Sequence, residues 1–435
     1  MSRFNANIFL QKISWSIVLL ASWLGFAFVR VVPGTVSDPL DLEASYESRI
    51  TSSLAAAIRH GGEAILSQEG HSRCDYEMIT GEWGAYEEMW HTGQLIQGLL
   101  AAYRTTGRNE ALRHARRAGD WWVGQTFPEE HPLHGYLNGA HGNRLGALIN
   151  TTTIMDGTPG LFDLTAATGD SVYAQVATDA GAWILDHLYI PEERLSYNIV
   201  DAETGEIWRA RSPHAQHQGR PFELRFAARP NAEGYLWADM YRFTGEQRYL
   251  NAFLEVCDGL IARQSDNGWW MDFEPNDNRA GKIHARFNTW NAEALLEAYD
   301  LSGDKKYLQA ALRTGEALAR IQQSNGVIFY QSYTDGNHDR RSPCGSGTSF
   351  AGILWLRLHQ LGAGDFADNI RRALDFTLTN QFPLDHPDPN LAGGYLEIRQ
   401  KESKGHRLKV IFRDISTSFG LRFLSAVHEH VFGSE

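Results

Sequence analysis

Five glycines in similar surroundings recur along the 435-residue chain, and they restrict its fold more than any other feature. They are spaced 58–76 residues apart, and four of them are followed four positions later by Tyr or Phe. Each lies between two stretches whose apolar residues have helical spacing, where glycine can adopt the left-handed conformation that ends a helix. The pattern predicts five helical hairpins. Their turn glycines are Gly107, Gly169, Gly245, Gly303 and Gly362.

Two further helices are predicted outside these hairpins, one over about Leu42–Ser67 and one over about Ser416–Glu429. If the first pairs with the last, six hairpins close into a ring. The predicted fold class is therefore all-α, an (α/α)6 toroid. The helices that lead into each glycine turn form the inner layer of the ring, and the return helices form the outer layer.

The links between hairpins are much longer than the glycine turns, which predicts long loops on one face of the ring. Long loops in a compact domain usually carry function. This face also holds the N-terminal ends of the inner helices, whose free N–H groups favour negative charge. The loop-rich face is thus the predicted site. The links span about 127–157, 189–231, 265–287, 324–346 and 381–414.

The N-terminus predicts export. Arg3 and Lys12 precede an apolar run, Ile13–Val29, which Arg30 closes. This pattern is typical of a signal sequence or signal anchor, assigned here to residues 1–31, with a linker at 32–41 and a catalytic domain at 42–435. A periplasmic or extracellular location follows, with residues 13–29 either removed or anchoring the chain in the inner membrane.

Composition excludes several classes of function. A net charge of −12 argues against general nucleic-acid binding, although local basic patches can still recruit an anionic ligand. Cys74, Cys257 and Cys344 form no zinc or disulfide pattern. A bridge between Cys74 and Cys344 stays open if the domain is exported. No phosphate loop or dinucleotide motif is present, so no cofactor and no metal is predicted.

Several local motifs resemble the six-hairpin glycosidase superfamily, with the nearest likeness to unsaturated glucuronyl hydrolases and related polysaccharide-processing enzymes. The likeness rests on residues 159–162 (PGLF), residues 167–170 (ATGD) followed by Tyr173, and residues 293–296 (EALL) leading to Tyr307 and Leu308. It implies a catalytic Asp just before the inner helix that contains the proline, and Asp156 is the nearest carboxylate. The same toroid also supports lyases, epimerases and terpene cyclases.

Four acidic residues lie near the predicted starts of inner helices and are candidates for catalysis: Glu88, Asp156, Glu233 and Asp414. Glycoside hydrolysis uses one carboxyl group as an acid and a second as a base or nucleophile. Each residue can instead be a first-turn acid that only complements the helix dipole.

Cationic and aromatic residues in the same loops are candidates for substrate binding. Arg229 and Arg286 are predicted to bind an anionic group, because guanidinium groups match oxyanion geometry. The alternative is a solvated loop balanced by nearby Asp and Glu side chains. The predicted substrate-binding residues are Trp90, His91, Arg229, Trp270, His284, Arg286, Trp290 and Tyr330.

The leading hypothesis is an exported enzyme that hydrolyses an acidic, uronate-containing polysaccharide or oligosaccharide through two carboxyl groups. An alternative is a polysaccharide lyase or uronate epimerase that uses His or Tyr with Arg. A further alternative is a non-catalytic glycan-binding toroid. Two carboxylates in one cleft favour the hydrolase, Arg with Tyr or His favours the lyase or epimerase, and an occluded cleft favours the scaffold.

Overall fold

The computed structural model describes residues 40, 42–140, 148–210, 219, 221–402 and 407–433. A π-helical turn, His60–Ile65, extends the first helix. In chain order the helices are α1 (Ser45–Arg59), α2 (Glu88–Thr106), α3 (Asn109–Val123), α4 (Thr151–Gly157), α5 (Pro159–Thr168), α6 (Val172–His187), α7 (Leu236–Thr244), α8 (Gln247–Arg263), α9 (Ala285–Ser302), α10 (Lys305–Ile321), α11 (Gly345–Gln360), α12 (Ala367–Thr379) and α13 (Ile415–Phe432).

The five predicted hairpins are present, and all five turn glycines have left-handed backbone angles, with φ between 64° and 76°. At four of the five turns the glycine directly follows the inner helix, and its N–H donates to a carbonyl in the last turn of that helix. At Gly362 the helix ends two residues earlier. The glycine spacing in the sequence therefore located every inner-to-outer turn.

The hairpins close into a ring through the last helix. α13 packs between α2 and α11 on the inside, and α1 packs against α13 from the outside. The inner helices α2, α9, α11 and α13 are buried on nearly all sides, whereas outer helices such as α3 and α10 bury one face. The predicted all-α (α/α)6 toroid is confirmed.

Aromatic side chains from four inner helices fill the ring axis. Trp90 of α2 and Trp290 of α9 meet edge to face with ring centroids 5.5 Å apart. Below them, Phe350 of α11 and Phe419 of α13 lie 4.6 Å apart, and both contact Trp290. This plug separates the loop-rich face from the rest of the ring interior.

Two inner helices begin differently from the prediction. The second begins at Thr151 and is interrupted at Thr158–Pro159, because proline lacks the N–H needed to continue the helix. Asp156 therefore lies inside α4, not before the first turn. The third begins at Leu236 and is preceded by a 3₁₀ turn, Glu233–Tyr235.

Short strands in the long loops cover the face on which the inner helices start. Four of them form an antiparallel sheet of order β10-β11-β1-β2, which pairs residues near both ends of the chain, such as Asp75 with Arg413. The strands are β1 (Asp75–Glu77), β2 (Glu82–Gly84), β3 (Leu148–Asn150), β4 (Tyr189–Ile190), β5 (Leu195–Tyr197), β6 (Ile199–Asp201), β7 (Ala228–Arg229), β8 (Lys282–Ile283), β9 (Ser332–Tyr333), β10 (Ile398–Glu402) and β11 (Leu408–Arg413).

The predicted signal segment and most of the linker lie outside the described residues. So do His214, His217 and Arg220, which belong to the long link over about 189–231. No helix within the described ranges is long and apolar enough to cross a membrane. All three cysteines are buried and unpaired, so Cys74 and Cys344 form no bridge in this structure.

The close contact between α2 and α4 generates a stability prediction. A methyl group added at Gly93 would lie 1.8 Å from the Gly157 carbonyl oxygen, whereas one added at Gly107 would meet no atom within 4 Å. We expect Gly93→Ala to lower the free energy of unfolding by about 3 kcal/mol or more. Gly107→Ala should cost only about 1–2 kcal/mol, through its left-handed backbone. Denaturant unfolding measures both, and equal losses would contradict this packing.

Candidate active site

A cleft of about 330 Å³ opens on the loop-rich face, directly above the aromatic plug. Eight of the twelve residues predicted for catalysis or substrate binding line it. They are Trp90, Asp156, Arg229, Glu233, His284, Arg286, Trp290 and Tyr330. The repeat therefore brings together side chains from α2, α4, α9 and three separate loops.

Asp156 forms part of the cleft wall and is 4% exposed. Its Oδ1 atom has no hydrogen-bond partner among the described residues, while its backbone carbonyl accepts a 2.5 Å bond from the Gln94 amide. Burial raises the pKa of Asp156 well above its usual range, and the charges of Glu233 and Glu87 raise it further. Asp156 is therefore suited to hold a proton at neutral pH.

Glu233 lies in the same cleft and is 1% exposed. Arg229 donates a 2.7 Å hydrogen bond to its Oε1, but Oε2 has no partner within the described ranges. The surrounding segment is strained, because Asn231 and Tyr235 are non-glycine residues with φ of 49°. Such backbone strain is concentrated at functional sites. Here it fixes a carboxylate in a buried position.

Gly234 connects the two acids physically. A Cβ atom at this position would lie 2.5 Å from the Met155 carbonyl oxygen and 2.8 Å from the Cα of Asp156. The backbone next to Glu233 thus packs directly against the backbone that carries Asp156. Thr152 supports the same junction by donating a 2.7 Å hydrogen bond to Asn231.

Cations from other loops line the cleft as well. Burial, followed by the charge of Arg399, lowers the pKa of Lys282. Arg399 lies over the Tyr330 ring at 4.5 Å. Neither cation forms an ion pair with a carboxylate in the part of the chain that the structure describes. The wall can therefore accept an anionic group without first breaking a salt bridge.

His284 caps helix α9, because its Nδ1 accepts a 3.3 Å hydrogen bond from the Phe287 N–H. Burial, and then the charges of Arg286 and Lys282, lower its pKa well below the usual range. A neutral imidazole whose Nδ1 is an acceptor carries its proton on Nε2. His284 is thus a hydrogen-bond donor at Nε2.

Arg229 and Arg286 line the cleft as predicted, but each already pairs with a buried glutamate. Arg286 Nη1 lies 3.2 Å from Glu397 and 2.7 Å from the Ser346 hydroxyl oxygen. Its guanidinium also lies within 6.0 Å of the rings of Trp90, Trp290 and Tyr330. These partners hold both arginines in place, so an anionic ligand would have to share them.

The first acidic candidate is corrected by one residue. Glu87, and not Glu88, lines the cleft. Glu87 pairs with Arg413 and lies 3.3 Å from His91 Nε2. Glu88 begins α2, is half-buried and does not reach the cleft, because one residue rotates a helical side chain by about 100°.

Asp414 and His91 lie beneath the cleft and not in it. Asp414 accepts short hydrogen bonds from Ser72 and from His91 Nδ1, and both Asp414 and the His91 ring are buried. Burial lowers the pKa of His91, but Asp414 and Cys74 outweigh this effect and raise it well above its usual range. The His91–Asp414 pair therefore holds Glu87 in position through the contact with His91 Nε2.

Trp270 is the fourth predicted residue that does not line the cleft. It is 1% exposed in the main core, and its indole N–H donates a 2.8 Å hydrogen bond to the Leu260 carbonyl. Lys282, Arg399 and Glu87 line the cleft but are not among the predicted site residues. Lys282 lies in the same loop as His284 and Glu87 precedes Glu88, whereas Arg399 reaches the cleft only through a distant strand pairing.

No group of three or more His, Cys, Asp or Glu side chains is arranged to hold a metal ion among the residues with described positions. Several buried polar atoms in the cleft have no hydrogen-bond partner among the described residues, including Asp156 Oδ1, Glu233 Oε2, Arg229 Nε, Arg286 Nε and Trp290 Nε1. Sugar hydroxyl and carboxylate groups provide the complementary donors and acceptors.

Residues 64–204 match the family model for the catalytic domain of β-L-arabinofuranosidases of glycoside hydrolase family 127. This stretch contains α2 to α6 and therefore Glu87, Trp90 and Asp156. The chain is a glycoside-hydrolase-like enzyme. No curated protein matches it.

Solved structures of sugar-processing enzymes share the fold over nearly their whole length. Cellobiose 2-epimerase from Bacillus thermoamylovorans B4167 is 12% identical, with a TM-score of 0.67 over 88% of this chain and 99% of that one. An unsaturated glucuronyl hydrolase specific for heparin is 11% identical, with a TM-score of 0.62 over 88% and 98%. D-mannose isomerase is 11% identical, with a TM-score of 0.61 over 89% and 97%. The chain has the six-hairpin glycosidase fold.

The raised pKa of Asp156 predicts that Asp156→Asn stabilises the folded enzyme at neutral pH. The pKa of an Asp in the unfolded chain is about 3.9. The pKa of Asp156 in the folded state is higher than this, so the folded state binds the proton more tightly. The free energy of unfolding of the wild type then falls as the pH rises above about 4. Asn cannot ionise, so we expect its advantage over the wild type to grow as the pH rises from about 4 towards 7.

Denaturant unfolding across this pH range measures the difference. Asp266→Asn, at an exposed position, is the matched control and should show no such trend. A loss of stability in Asp156→Asn that is independent of pH would contradict the assignment of a buried, protonated carboxyl group.

Proposed function

We propose that the chain is an exported enzyme that hydrolyses a glycosidic bond next to a uronate in an acidic saccharide. The observation that carries the proposal is the charge content of the cleft. It holds the buried acids Asp156 and Glu233 together with a cationic wall, Lys282 and Arg399, which form no ion pair among the described residues. Export rests on the N-terminal sequence pattern alone.

Asp156 is assigned as the general acid. A buried carboxyl group that keeps its proton at neutral pH can protonate the oxygen of the leaving sugar. Its Oδ1 has no competing hydrogen bond among the described residues, so it is open to a substrate atom. The fixed backbone of α4 holds it in position.

Glu233 is assigned as the base or nucleophile. It forms an ion pair with Arg229 in which it is the carboxylate, and Oε2 is left for a water molecule or the anomeric carbon. When two carboxyl groups share a cleft but have different surroundings, one can act as the acid and the other as the base. The indole N–H of Trp290, which has no partner among the described residues, can donate to a sugar hydroxyl.

The substrate's anionic group is assigned to the cationic wall. Burial is the largest cause of the lowered pKa of Lys282 and the charge of Arg399 adds to it, while Asp277 and Glu274 act in the opposite direction. A bound uronate carboxylate would offset the charges of the two cations and accept charge-assisted hydrogen bonds. This pairing supports an acidic over a neutral sugar.

A lyase or epimerase is the second candidate, and one observation favours it. Tyr330 accepts a 3.0 Å hydrogen bond from Arg413 Nη1, and the guanidinium groups of Arg286 and Arg399 lie over its ring. A tyrosine among three cations is suited to remove a proton next to a uronate carboxylate. The product of a lyase would contain a new C–C double bond, and that of an epimerase would contain an inverted stereocentre. Hydrolysis would instead release two separate sugars.

Amide substitutions test the hydrolase mechanism. We expect Asp156→Asn and Glu233→Gln each to lower turnover of an acidic disaccharide by roughly 10²–10⁴-fold. On 4-nitrophenyl uronides the loss in Asp156→Asn should be much smaller, because nitrophenolate leaves without protonation. Glu233→Gln should lose activity on both substrates. Product NMR distinguishes hydrolysis from elimination and epimerisation.

Glu88→Gln is the control, because this residue lies outside the cleft. The carboxylate mechanism is wrong if both cleft variants keep normal turnover. Formation of an unsaturated product that depends on Tyr330 would support the second candidate.

A separate comparison tests the acidic substrate. Arg399→Gln should weaken kcat/KM for a 4-nitrophenyl uronide by a factor that corresponds to about 1.5–3 kcal/mol, the value of a hydrogen bond to a charged group. The matched neutral glycoside should be almost unaffected. Equal losses on both substrates would show that Arg399 supports the cleft structurally.

A further inference from the structure

Two buried asparagines in the cleft, Asn150 and Asn198, have no part in the chemistry assigned above. Asn150 ends β3 directly before α4, and Asn198 lies between β5 and β6. Strand pairing brings the two together, because Asn150 is the register partner of Ile199, the neighbour of Asn198. Both line the cleft and are at most 9% exposed. They therefore belong to the wall of the cleft beside α4.

The first turn of α4 fixes the orientation of both side-chain amides. The Thr152 backbone nitrogen lies 3.0 Å from Asn150 Oδ1 and 3.3 Å from Asn198 Oδ1. The Thr152 hydroxyl oxygen lies 2.9 Å from Asn198 Oδ1 as well. A backbone N–H can only donate, so the atom that faces it in each side chain must be the amide oxygen. The two Nδ2 groups consequently point away from this N–H.

The two Nδ2 groups are free to bind a ligand. Neither nitrogen has a hydrogen-bond partner among the described residues, and neither is sealed off from the cleft that their residues line. The backbone of Asn198 is held on both sides, since its carbonyl accepts a 2.8 Å bond from Thr151 and its N–H donates a 2.9 Å bond to Ala227. Asn150 and Asn198, here called the asparagine fork, thus present two fixed, uncharged donor groups.

The asparagine fork lies next to the assigned general acid. Thr152 precedes Asp156 by four residues, one turn of α4, and both line the cleft. A carboxylate binds better at Lys282 and Arg399, because hydrogen bonds between charged groups are stronger than those from neutral amides. The carboxylate of Glu233 in the same cleft also disfavours a second anion here. The fork therefore suits a neutral acceptor, and a sugar hydroxyl oxygen is one.

We propose that the asparagine fork binds hydroxyl oxygens of the uronate ring whose anomeric carbon reacts, which makes Asn150 and Asn198 specificity-determining residues. The proposal rests on the proposed function, since it needs this sugar beside Asp156. It adds that the ring carries free hydroxyl groups where the two donors point. Because the amides are already oriented, binding orders no further side chain. In glycoside hydrolysis, hydrogen bonds to the 2-hydroxyl group strengthen in the transition state, so kcat/KM should depend on the fork.

Deoxy substrates test the fork. The proteins are the full chain, Asn150→Ser and Asn198→Ala, and the substrates are 4-nitrophenyl glucuronides and galacturonides with their 2-, 3- and 4-deoxy analogues. Serine keeps a capping oxygen for α4 but lacks the amide donors. We expect each variant to lower kcat/KM for the complete uronide by about 3–10-fold, as for one lost hydrogen bond. On one deoxy analogue, the wild type should lose the same factor, and the variant should lose nothing further.

Controls separate recognition from folding. Asn251→Ala, at an exposed position on α8, should leave kcat/KM for every substrate unchanged. Melting temperatures show whether the fork variants stay folded, and a merely structural role would lower activity on complete and deoxy substrates by the same factor. Binding of the same glycosides to Asp156→Asn, measured by calorimetry with and without each fork substitution, follows recognition in the absence of turnover.

The outcomes are distinct. Equal losses on the complete uronide and on every deoxy analogue, or no loss in either variant, would overturn the asparagine fork and leave the proposed function standing. Fork-dependent binding to Asp156→Asn without hydrolysis of any uronide by the wild type would support the fork and contradict the proposed function. Binding of no uronide at all would contradict both.

Discussion

Close approach of the inner helices is the constraint on which the rest of the structure depends. At Gly93, α2 leaves no room for a methyl group beside α4, and at Gly98 it leaves none beside the Ser418 carbonyl of α13. Without Cβ atoms at these contacts, the helix axes lie closer than side chains would permit. The ring is consequently narrow enough for four aromatic rings to fill its axis. The starts of the inner helices then converge around one cleft.

The sequence was sufficient for the architecture because the information is local and repeated. Each turn glycine ends a helix by itself, and the long links identify the functional face without any knowledge of long-range contacts. Asp156 and Glu233 could be placed on this face for the same reason. The direction of a side chain was harder to predict. A shift of one residue in the start of a helix decides whether Glu87 or Glu88 points into the cleft. Arg399 was beyond reach, because its position depends on strand pairing between residues more than 300 positions apart.

The charge distribution gives the cleft its chemical character. The chain has a net charge of −12, yet several arginine and lysine side chains line the cleft. A local positive field within an acidic surface guides anions to one place and repels them elsewhere. Buried acids and mutually repelling cations both reduce stability in the empty cleft. Proteins retain such arrangements where function requires them.

The contact at Gly234 has a consequence for the stereochemistry of the reaction. Retaining glycosidases hold their two carboxyl groups about 5–5.5 Å apart, and inverting enzymes about 6.5–9.5 Å apart, to admit a water molecule. Here the backbones that carry the two acids touch at a residue without a side chain, so this contact limits how far apart the two side chains begin. A larger residue at position 234 would push the two backbones apart. For a hydrolase with the proposed acid and base, the contact at this glycine would therefore influence the choice between retention and inversion.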